Sequence, residues 1–542
     1  MTALAGLAAS IVLGVTATAT PISADQTYTM ELLGKAQPDE CFNGIGVPYP
    51  AGPPCAEGQA KVNQSYIWGL TRVGKQVWFG TGANTQCLTS GGNLGTSTPV
   101  VNTDYVCEFG ESQVVKNNRT VPAAFGDVRP PQVWLYDAGT KTLVDKSAEI
   151  TGASDTDSRR LRSTLGLRAA GNMNGVVLLA GPSLTSTLNL FAFDAVTKQF
   201  LGSRTLAQYG NARTFLAAEG SLYLGVGIGP DGGNGGAVLR WTGNRVTPFT
   251  FLLVGTLPAQ AADLAYYDGR IAATTWSTYN PTTDAQLAGV WTSPPVPLGG
   301  ESADSWTQAF NVGQYETDPL IKGTYGLGGV AAYGGYLYWG TMHVPLKSTK
   351  VHQAAYPQVT DEAKKTQVRL SQRTASIWRG KDLGLPTQKI ELLYGESVLP
   401  AYAPDTATWS GVPTGWTALY GKSGFGFPFN NYTWRMAVAG DRLYVATMDW
   451  SYIVHDLTDQ AAPTDPAAWG ADLWMFPSTA EAAQPISTTG LGNYLNYGIR
   501  NMVADGNGLY LGMANPMNLR TDPTDSLPEG GWELIKLDTS PA

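Results

Sequence analysis

Charged side chains are scarce in this chain of 542 residues, because Asp, Glu, Lys and Arg together make up only 14% of it. A typical soluble protein has about a quarter. The formal net charge of −8 argues against nucleic acid as the main partner, since phosphate binding needs a basic surface. Histidine is rarer still, with three residues, which argues against a metal centre built on several imidazoles.

Several catalytic motifs are also missing. The sequence has no G-x-S-x-G nucleophile motif, no P-loop and no dinucleotide-binding fingerprint. We therefore expect no cofactor. The carboxylate-rich stretches Ser154–Ser158 and Thr521–Asp525 leave structural Ca²⁺ as an alternative, but they lack EF-hand spacing, and solvated turns are the favoured interpretation.

The N-terminus carries the one marked apolar segment. Residues 1–24 contain no charge and end in small residues, which predicts a signal peptide cleaved before Asp25, although its usual basic start is missing. No other segment approaches 18 consecutive apolar residues, so we expect no membrane span. The predicted location is secreted, either extracellular or periplasmic.

The four cysteines fit an exported protein. Three pairings are open to them, and the local one, Cys41–Cys55 with Cys87–Cys107, is favoured because both loops are rich in Gly, Pro and Asn. A metal site is the alternative, but there is no C-x-x-C motif and no neighbouring histidine.

Glycine and aromatic residues are abundant, and they occur in a repeated pattern. A turn is followed by a short β-branched or aromatic run, which predicts a tight hairpin leading into a buried strand. The seven runs are anchored at Val77, Val176, Leu222, Ile271, Leu337, Leu443 and Leu509.

A further strand pattern follows each run, and the shorter anchor intervals, 46 and 49 residues, match a propeller blade of four strands. The fold predicted is all-β, a seven-bladed β-propeller over residues 61–540. The last repeat lacks a fourth strand, and the alternating segment Gln26–Leu33 is predicted to supply it. Residues 25–60 would thus hold this closing strand and a disulfide loop.

Two long loop insertions interrupt the repeats. Residues 83–130 carry Cys87 and Cys107, and residues 343–375 are basic and contain a segment typical of a short helix. The second insertion is interpreted as a solvated excursion, with a docking arm for an acidic partner as the alternative.

The strand before each hairpin is expected to line the central channel. Counting back eight or nine residues from the anchors gives one equivalent position in each repeat: Gly69, Arg168, Arg213, Asp263, Gly329, Arg435 and Arg500. Guanidinium groups in a narrow channel would bind a carboxylate, phosphate or sulfate bidentately. The alternative is that Arg168, Arg213, Arg435 and Arg500 pair with carbonyl groups and Asp263 and plug the channel.

The repeat resembles secreted bacterial β-propeller proteins of unassigned function. The resemblance rests on one strand pair and the strand after it: Gly498, Arg500, Met502, Leu509, Tyr510, Gly512, Ala514, Asn515, Pro516, Gly530, Gly531 and Glu533. It covers most of the chain as an architecture and implies strands, not a reaction.

The leading functional hypothesis is a secreted, non-catalytic propeller that recognises an extracellular protein or an anionic ligand through its top-face loops and its arginine-lined channel. A hydrolase or lyase acting on a glycan or lactone is the second hypothesis, and a structural subunit of an extracellular assembly is the third. Paired carboxylates in the channel would favour the enzyme. The equivalent positions supply only Asp263, which favours binding.

Overall fold

The computed structural model describes residues 26–118, 121–278, 280–458, 468–520 and 530–541. The predicted signal peptide, residues 1–24, and the stretch Thr521–Asp525 lie outside the described residues.

The described chain is built from antiparallel sheets of four strands. Within each sheet the first and second strands form the hairpin that the repeats predict. Both turn residues have positive φ in Asn174-Gly175 and Asp268-Gly269, the signature of a type I′ turn. The second strands are buried along nearly their whole length, which explains their continuous apolar sequence.

Each sheet consists of a first, a second, a third and a fourth strand. The first strands are Gln64–Val73, Ala169–Met173, Tyr209–Ala218, Gln260–Tyr267, Gly326–Tyr333, Asn430–Ala439 and Gly498–Asp505. The second strands are Gln76–Ala83, Val176–Pro182, Ser221–Ile228, Arg270–Trp276, Tyr336–Met342, Arg442–Asp449 and Gly508–Ala514. The third strands are Val133–Asp137, Leu188–Asp194, Gly236–Trp241, Gly289–Pro295, Ile377–Lys381, Leu473–Phe476 and Glu533–Pro541. The fourth strands are Thr142–Asp145, Phe200–Leu206, Phe251–Leu257, Thr307–Asn311, Lys389–Tyr394, Gln484–Ser487 and Gln26–Lys35.

The first strands form a closed ring, because each contacts the first strand of the next sheet and the last, Gly498–Asp505, contacts Gln64–Val73. A closed ring of radially arranged antiparallel sheets is the architecture of a β-propeller. The hydrophobic core lies between neighbouring sheets, where the faces of successive second and third strands pack together.

The ring is closed by the N-terminus. Strand Gln26–Lys35 pairs antiparallel with Glu533–Pro541, from Gln26 opposite Pro541 to Lys35 opposite Glu533. The prediction that the segment Gln26–Leu33 supplies the missing fourth strand is confirmed. Its pairing covers the edge that the last third strand would otherwise leave open.

The first insertion lies between the second and third strands of the first sheet. It contains the helices Thr85–Leu88 and Gln113–Asn117 and the strand pair Val100–Val101 with Val106–Cys107. Both predicted disulfides, Cys41–Cys55 and Cys87–Cys107, are confirmed.

A buried ion network ties this insertion to the segment that follows the N-terminal strand. Lys61 is fully buried, with its Nζ 2.8 Å from Glu108. Arg129 contacts Glu40 at 3.0 Å. A short sheet of Glu40–Phe42, Gln59–Lys61 and Leu519–Arg520 completes this region.

The second insertion contains two helices, Lys347–Ala355 and Asp361–Ser371, and the second falls where the sequence predicts one. Thr360 caps it by accepting a hydrogen bond from the amide of Ala363. The insertion is fastened to the propeller, since Arg373 forms a bidentate pair with Glu316 at 2.6 and 2.9 Å. The basic residue Arg373 of this insertion is therefore buried and pairs within the protein.

Several elements were not predicted. A hairpin of Val398–Ala403 and Thr408–Pro413 follows the fifth sheet, and a helix, Ser451–Thr458, follows the second strand of the sixth. Two more helices, Ser147–Ala153 and Asp155–Arg162, connect the first sheet to the second. Ser154–Ser158 was interpreted as a solvated turn, and this was wrong. Ser154 instead caps the helix that begins at Asp155 by accepting from the amide of Asp157.

The Arg373–Glu316 pair should contribute strongly to stability. We expect Glu316→Gln to lower the free energy of unfolding by about 3 kcal/mol, because it leaves a buried guanidinium without its carboxylate. Chemical denaturation measures this. The control is Glu391→Gln at the pair Arg379–Glu391, where Glu391 is 39% exposed and the cost should stay below about 1 kcal/mol. Equal losses in the two variants would contradict this account of the insertion.

Candidate functional site

Most of the first strands carry a β-bulge at about the same height. The register shifts occur between Ile67 and Gly69, Ala212 and Thr214, Ala261 and Leu264, Leu327 and Val330, Thr433 and Arg435, and Ile499 and Asn501. A bulge releases a residue from strand pairing and re-aims its side chain. The residues released include Trp68, Arg213, Asp263, Trp434 and Arg500. The seven predicted positions are therefore not all equivalent: Arg213 and Arg500 lie in a bulge, whereas Gly69 and Arg435 stay paired with Gly80 and Ala446.

Two of the equivalent positions are glycines because the strands come too close for a side chain. A Cβ on Gly69 would lie 2.7 Å from the carbonyl carbon of Ala169, and one on Gly329 would lie 2.6 Å from that of Arg435. Neither distance is compatible with a side chain. These glycines thus allow the first strands to converge on the axis.

A small polar cavity lies at the centre of the ring, with room for about one water molecule. Three of the predicted arginines line it together with the predicted aspartate: Arg213, Arg435, Arg500 and Asp263. Met342 and Trp434 also contribute to its wall. Arg168, the fourth predicted arginine, does not line this cavity.

Arg435 has a protein partner. Its Nη1 donates to Asp263 Oδ1 at 2.6 Å and to Thr214 Oγ1 at 3.3 Å. Asp263 Oδ1 also accepts from the amide of Leu264. The plugged-channel interpretation therefore describes Arg435 and Asp263.

The other three arginines rest on indole rings. The guanidinium carbon of Arg168 lies 5.4 Å from the ring centroid of Trp68, and that of Arg500 lies 5.7 Å from Trp434. Arg213 lies closest, 4.4 Å from Trp276, and donates only a weak bond to Met342 Sδ at 3.6 Å. Across the described ranges, no carboxylate pairs with any of the three, and the Nε atoms of Arg168 and Arg500 are buried without a partner.

Each of these indoles is seated on a glycine of a neighbouring sheet. A Cβ would lie 2.2 Å from Trp68 if built on Gly166, 2.0 Å from Trp434 on Gly498, and 2.3 Å from Trp276 on Gly326. Gly166 and Gly498 each precede an arginine by two residues, Arg168 and Arg500. In each G-x-R pattern, the glycine thus leaves room for the indole and the arginine lies over that indole.

Burial raises the energy of these cations. Desolvation, with repulsion from Arg500 second, lowers the pKa of Arg168 to about 9. The pKa of Arg500 is lowered to about 9 by desolvation and then by Arg213 and Arg435. The pKa of Arg213 falls well below its usual value, mainly through desolvation. A guanidinium cation that is buried away from water is stabilised by a nearby anion.

Aromatic rings surround the arginines on the side of the insertions. Tyr66 packs edge-on against Trp68 and Trp434, and Tyr432 packs against Trp434 and Trp276. Residues of the first insertion, among them Tyr105, Cys107 and Phe109, belong to the same hydrophobic cluster. The insertions therefore cover the end of the channel that holds the arginines.

A buried Asp–His pair was missed by sequence analysis. His352 is fully buried, and its Nε2 lies 3.1 Å from both carboxylate oxygens of Asp318. The two residues are 34 positions apart, so no local pattern could reveal them. The pair joins helix Lys347–Ala355 to the loop before the fifth sheet. Within the described residues, no group of three or more His, Cys, Asp or Glu is arranged to hold a metal ion, and no helix is long and apolar enough to span a membrane.

Comparisons with known proteins identify no family. No protein-family model matches the chain, and no curated protein matches it. Solved structures share a general likeness. The propeller domain of the Trilobed protease from Pyrococcus furiosus is 6% identical, with a TM-score of 0.30, over 79% of this chain and 99% of that one.

Two further likenesses are equally remote. A chain of the mitotic checkpoint complex is 11% identical, with a TM-score of 0.33, over 72% of this chain and 82% of that chain. An exo-β-1,3-galactanase from Phanerochaete chrysosporium is 7% identical, with a TM-score of 0.30, over 89% and 97%. At these TM-scores, the fold is established by the strand pairing described above and not by the likenesses.

Substitution of the ring arginines should have opposite effects on stability. We expect Arg500→Met to raise the free energy of unfolding by about 1–3 kcal/mol at pH 7, because it removes a buried cation that has no carboxylate partner. The penalty is fully present at pH 7, since the folded-state pKa of about 9 and the higher unfolded-state pKa both lie above it.

Arg435→Met should instead lower the free energy of unfolding by about 2 kcal/mol, since it leaves Asp263 unpaired. Urea denaturation at low ionic strength compares the two variants. If both destabilise the protein to the same extent, Arg500 is a structural plug like Arg435.

Proposed function

We propose that this protein is a secreted, non-catalytic, seven-bladed β-propeller that binds an anionic ligand in its channel. Each four-stranded sheet is one blade in this proposal. The seven anchors of the repeated sequence support the count, as does the closed ring of first strands. The apolar N-terminus and the two disulfides support export to an oxidising compartment.

The observation that carries the proposal is the set of three guanidinium groups without a carboxylate partner. Arg213 and Arg500 line one cavity, and repulsion from neighbouring arginines helps to lower the pKa of Arg168, Arg213 and Arg500. Proteins rarely bury several like charges together unless an opposite charge compensates them. A bound anion would supply that charge.

The geometry favours a carboxylate or phosphate group as the part of the ligand that is bound. The N–H groups of a guanidinium lie in one plane, so two of them can donate to two oxygens of one anionic group. The central cavity between Arg213 and Arg500 is small. With room for about one water molecule, it takes a single anionic group only if Arg213 and Arg500 move apart, and a whole sugar or peptide does not fit.

Binding is favoured over hydrolysis by the state of the channel carboxylate. Glycoside hydrolysis uses two carboxyl groups, one on each side of the bond to be broken. Asp263 Oδ1 accepts from Arg435 at 2.6 Å and from the amide of Leu264 at 3.0 Å, so this oxygen is already committed. It therefore serves to fix Arg435 beside the cavity.

Isothermal titration with citrate tests the proposal. We expect saturable binding at constant ionic strength, and no binding of the neutral triethyl ester of citrate. Arg213→Gln should weaken citrate binding by about 10–100-fold, because a charge-assisted hydrogen bond is lost. The matched control is Arg204→Gln, which removes an exposed arginine from the outer strand Phe200–Leu206.

Sulfate and inorganic phosphate, titrated in the same way, distinguish a carboxylate site from an oxyanion site. Equal affinities of the Arg213→Gln and Arg204→Gln proteins would contradict a site in the channel. Absence of binding for all three anions would contradict the proposed function.

A further inference from the structure

The second insertion contributes a fourth unpaired cation to the arginine site. Lys347 begins helix Lys347–Ala355, and its Nζ lies 6.0 Å from the centroid of Trp276. The guanidinium of Arg213 lies 4.4 Å from the same ring. The Trp276 indole therefore has two cations near it, Arg213 from a first strand and Lys347 from the second insertion.

We propose that residues 343–350 form a lid over the channel and that Lys347 is an anion-binding residue of the same site. This inference rests on the proposed function and deepens it. The ligand is then an anion with at least two negatively charged groups, one bound by Arg213 and Arg500 in the cavity and one by Lys347 above it.

The charge balance of the site supports this assignment. Among the residues that the structure describes, no carboxylate lies within ion-pair distance of Lys347, and its Nζ has no hydrogen-bond partner. Burial lowers the pKa of Lys347. By contrast, Lys364 in the same insertion pairs with Asp361 at 3.1 Å, as an ordinary surface lysine does. Lys347 is half-buried and thus bears a desolvation cost that no carboxylate of the described residues offsets.

The backbone holds Lys347 over the ring in an unusual conformation. Leu346, the residue before it, has φ of +63°, in the left-handed region that a leucine rarely adopts. Its amide donates to the side chain of Gln372 at 3.3 Å. Strain of this kind persists only where the surroundings impose it, and it is concentrated at binding sites.

Contacts on both sides define the lid. Towards the first insertion, Lys350 Nζ donates to the carbonyl oxygen of Leu94 at 2.8 Å across the channel end. Towards the propeller body, the Asp318–His352 and Glu316–Arg373 pairs anchor the rest of the insertion. The contact at Lys350 is a single exposed bond, whereas both anchors are buried. Opening would break the exposed Lys350 bond first, because within the lid Thr349 is buried and bonds to Ser371 at 2.7 Å, and the amide of His343 donates to Asn431 at 2.9 Å.

The test compares citrate affinity in Lys347→Gln, Lys347→Arg and Lys364→Gln with that of the unaltered protein. We expect Lys347→Gln to bind citrate at least about tenfold more weakly. Lys347→Arg, which keeps the charge, should retain binding, and Lys364→Gln should be unchanged. Acetate, with a single carboxylate, should bind the unaltered and Lys347→Gln proteins equally, because it occupies the cavity alone.

Hydrogen–deuterium exchange gives a second readout. Citrate should protect helix Lys347–Ala355 from exchange in the unaltered protein, and this protection should be lost in Lys347→Gln. Citrate binding that is unaffected by Lys347→Gln, without added protection of the helix, would overturn the lid while leaving the channel site intact. Failure of the unaltered protein to bind citrate would instead overturn the proposed function on which the lid rests.

Discussion

Crowding at the axis is the constraint on which this structure depends. The closed ring of first strands leaves so little room at its centre that backbone atoms occupy the place of a side chain at Gly69 and Gly329. Bulges relieve the crowding by releasing one or two residues per strand. The released residues, Arg213 and Arg500 among them, are then the side chains that face the centre. The chemistry of the channel thus follows from the way the ring closes.

The burial of the arginines in this ring bears directly on the proposed function. Arg435 has Asp263 as its partner, whereas Arg168, Arg213 and Arg500 lie over tryptophan rings, and Arg213 adds only a weak bond to Met342 Sδ. A cation–π contact offsets part of the cost of burying a guanidinium, but it supplies no acceptor for the N–H groups. In the proposed function, the three arginines are held in position by the indoles and bind an anion. A structural plug would have matched each of them with carbonyl or carboxylate oxygens.

The propeller architecture could be predicted because its determinants are local. Turn residues such as Asn174-Gly175 and the alternating segment Gln26–Leu33 carry their information within a few positions. The disulfides also follow from short loops. Counting back from the hairpin anchors selected the channel arginines, but the sequence did not show that Gly166 and Gly498 are glycines because an indole lies against them.

The remaining features depend on residues far apart in the chain. Trp276 lies under Arg213 from the next sheet, and Lys347 reaches the same ring from an insertion. The Asp318–His352 pair joins a loop to the helix Lys347–Ala355. None of these partners stands at a fixed spacing from the other, because only the closed ring brings them together. Whether an arginine has a carboxylate partner depends on residues that are far apart in the sequence. A periodic sequence pattern therefore does not show which arginines are unpaired.

The most direct measurement is anomalous diffraction from crystals soaked in selenate, which carries a scatterer in an oxyanion. The account predicts a selenium peak at the centre of the ring, with selenate oxygens within hydrogen-bonding distance of Arg213 and Arg500. Crystals of Arg213→Gln should lose that peak. A channel without selenium, in which the guanidinium groups of Arg168, Arg213 and Arg500 donate to backbone carbonyls, would contradict the account.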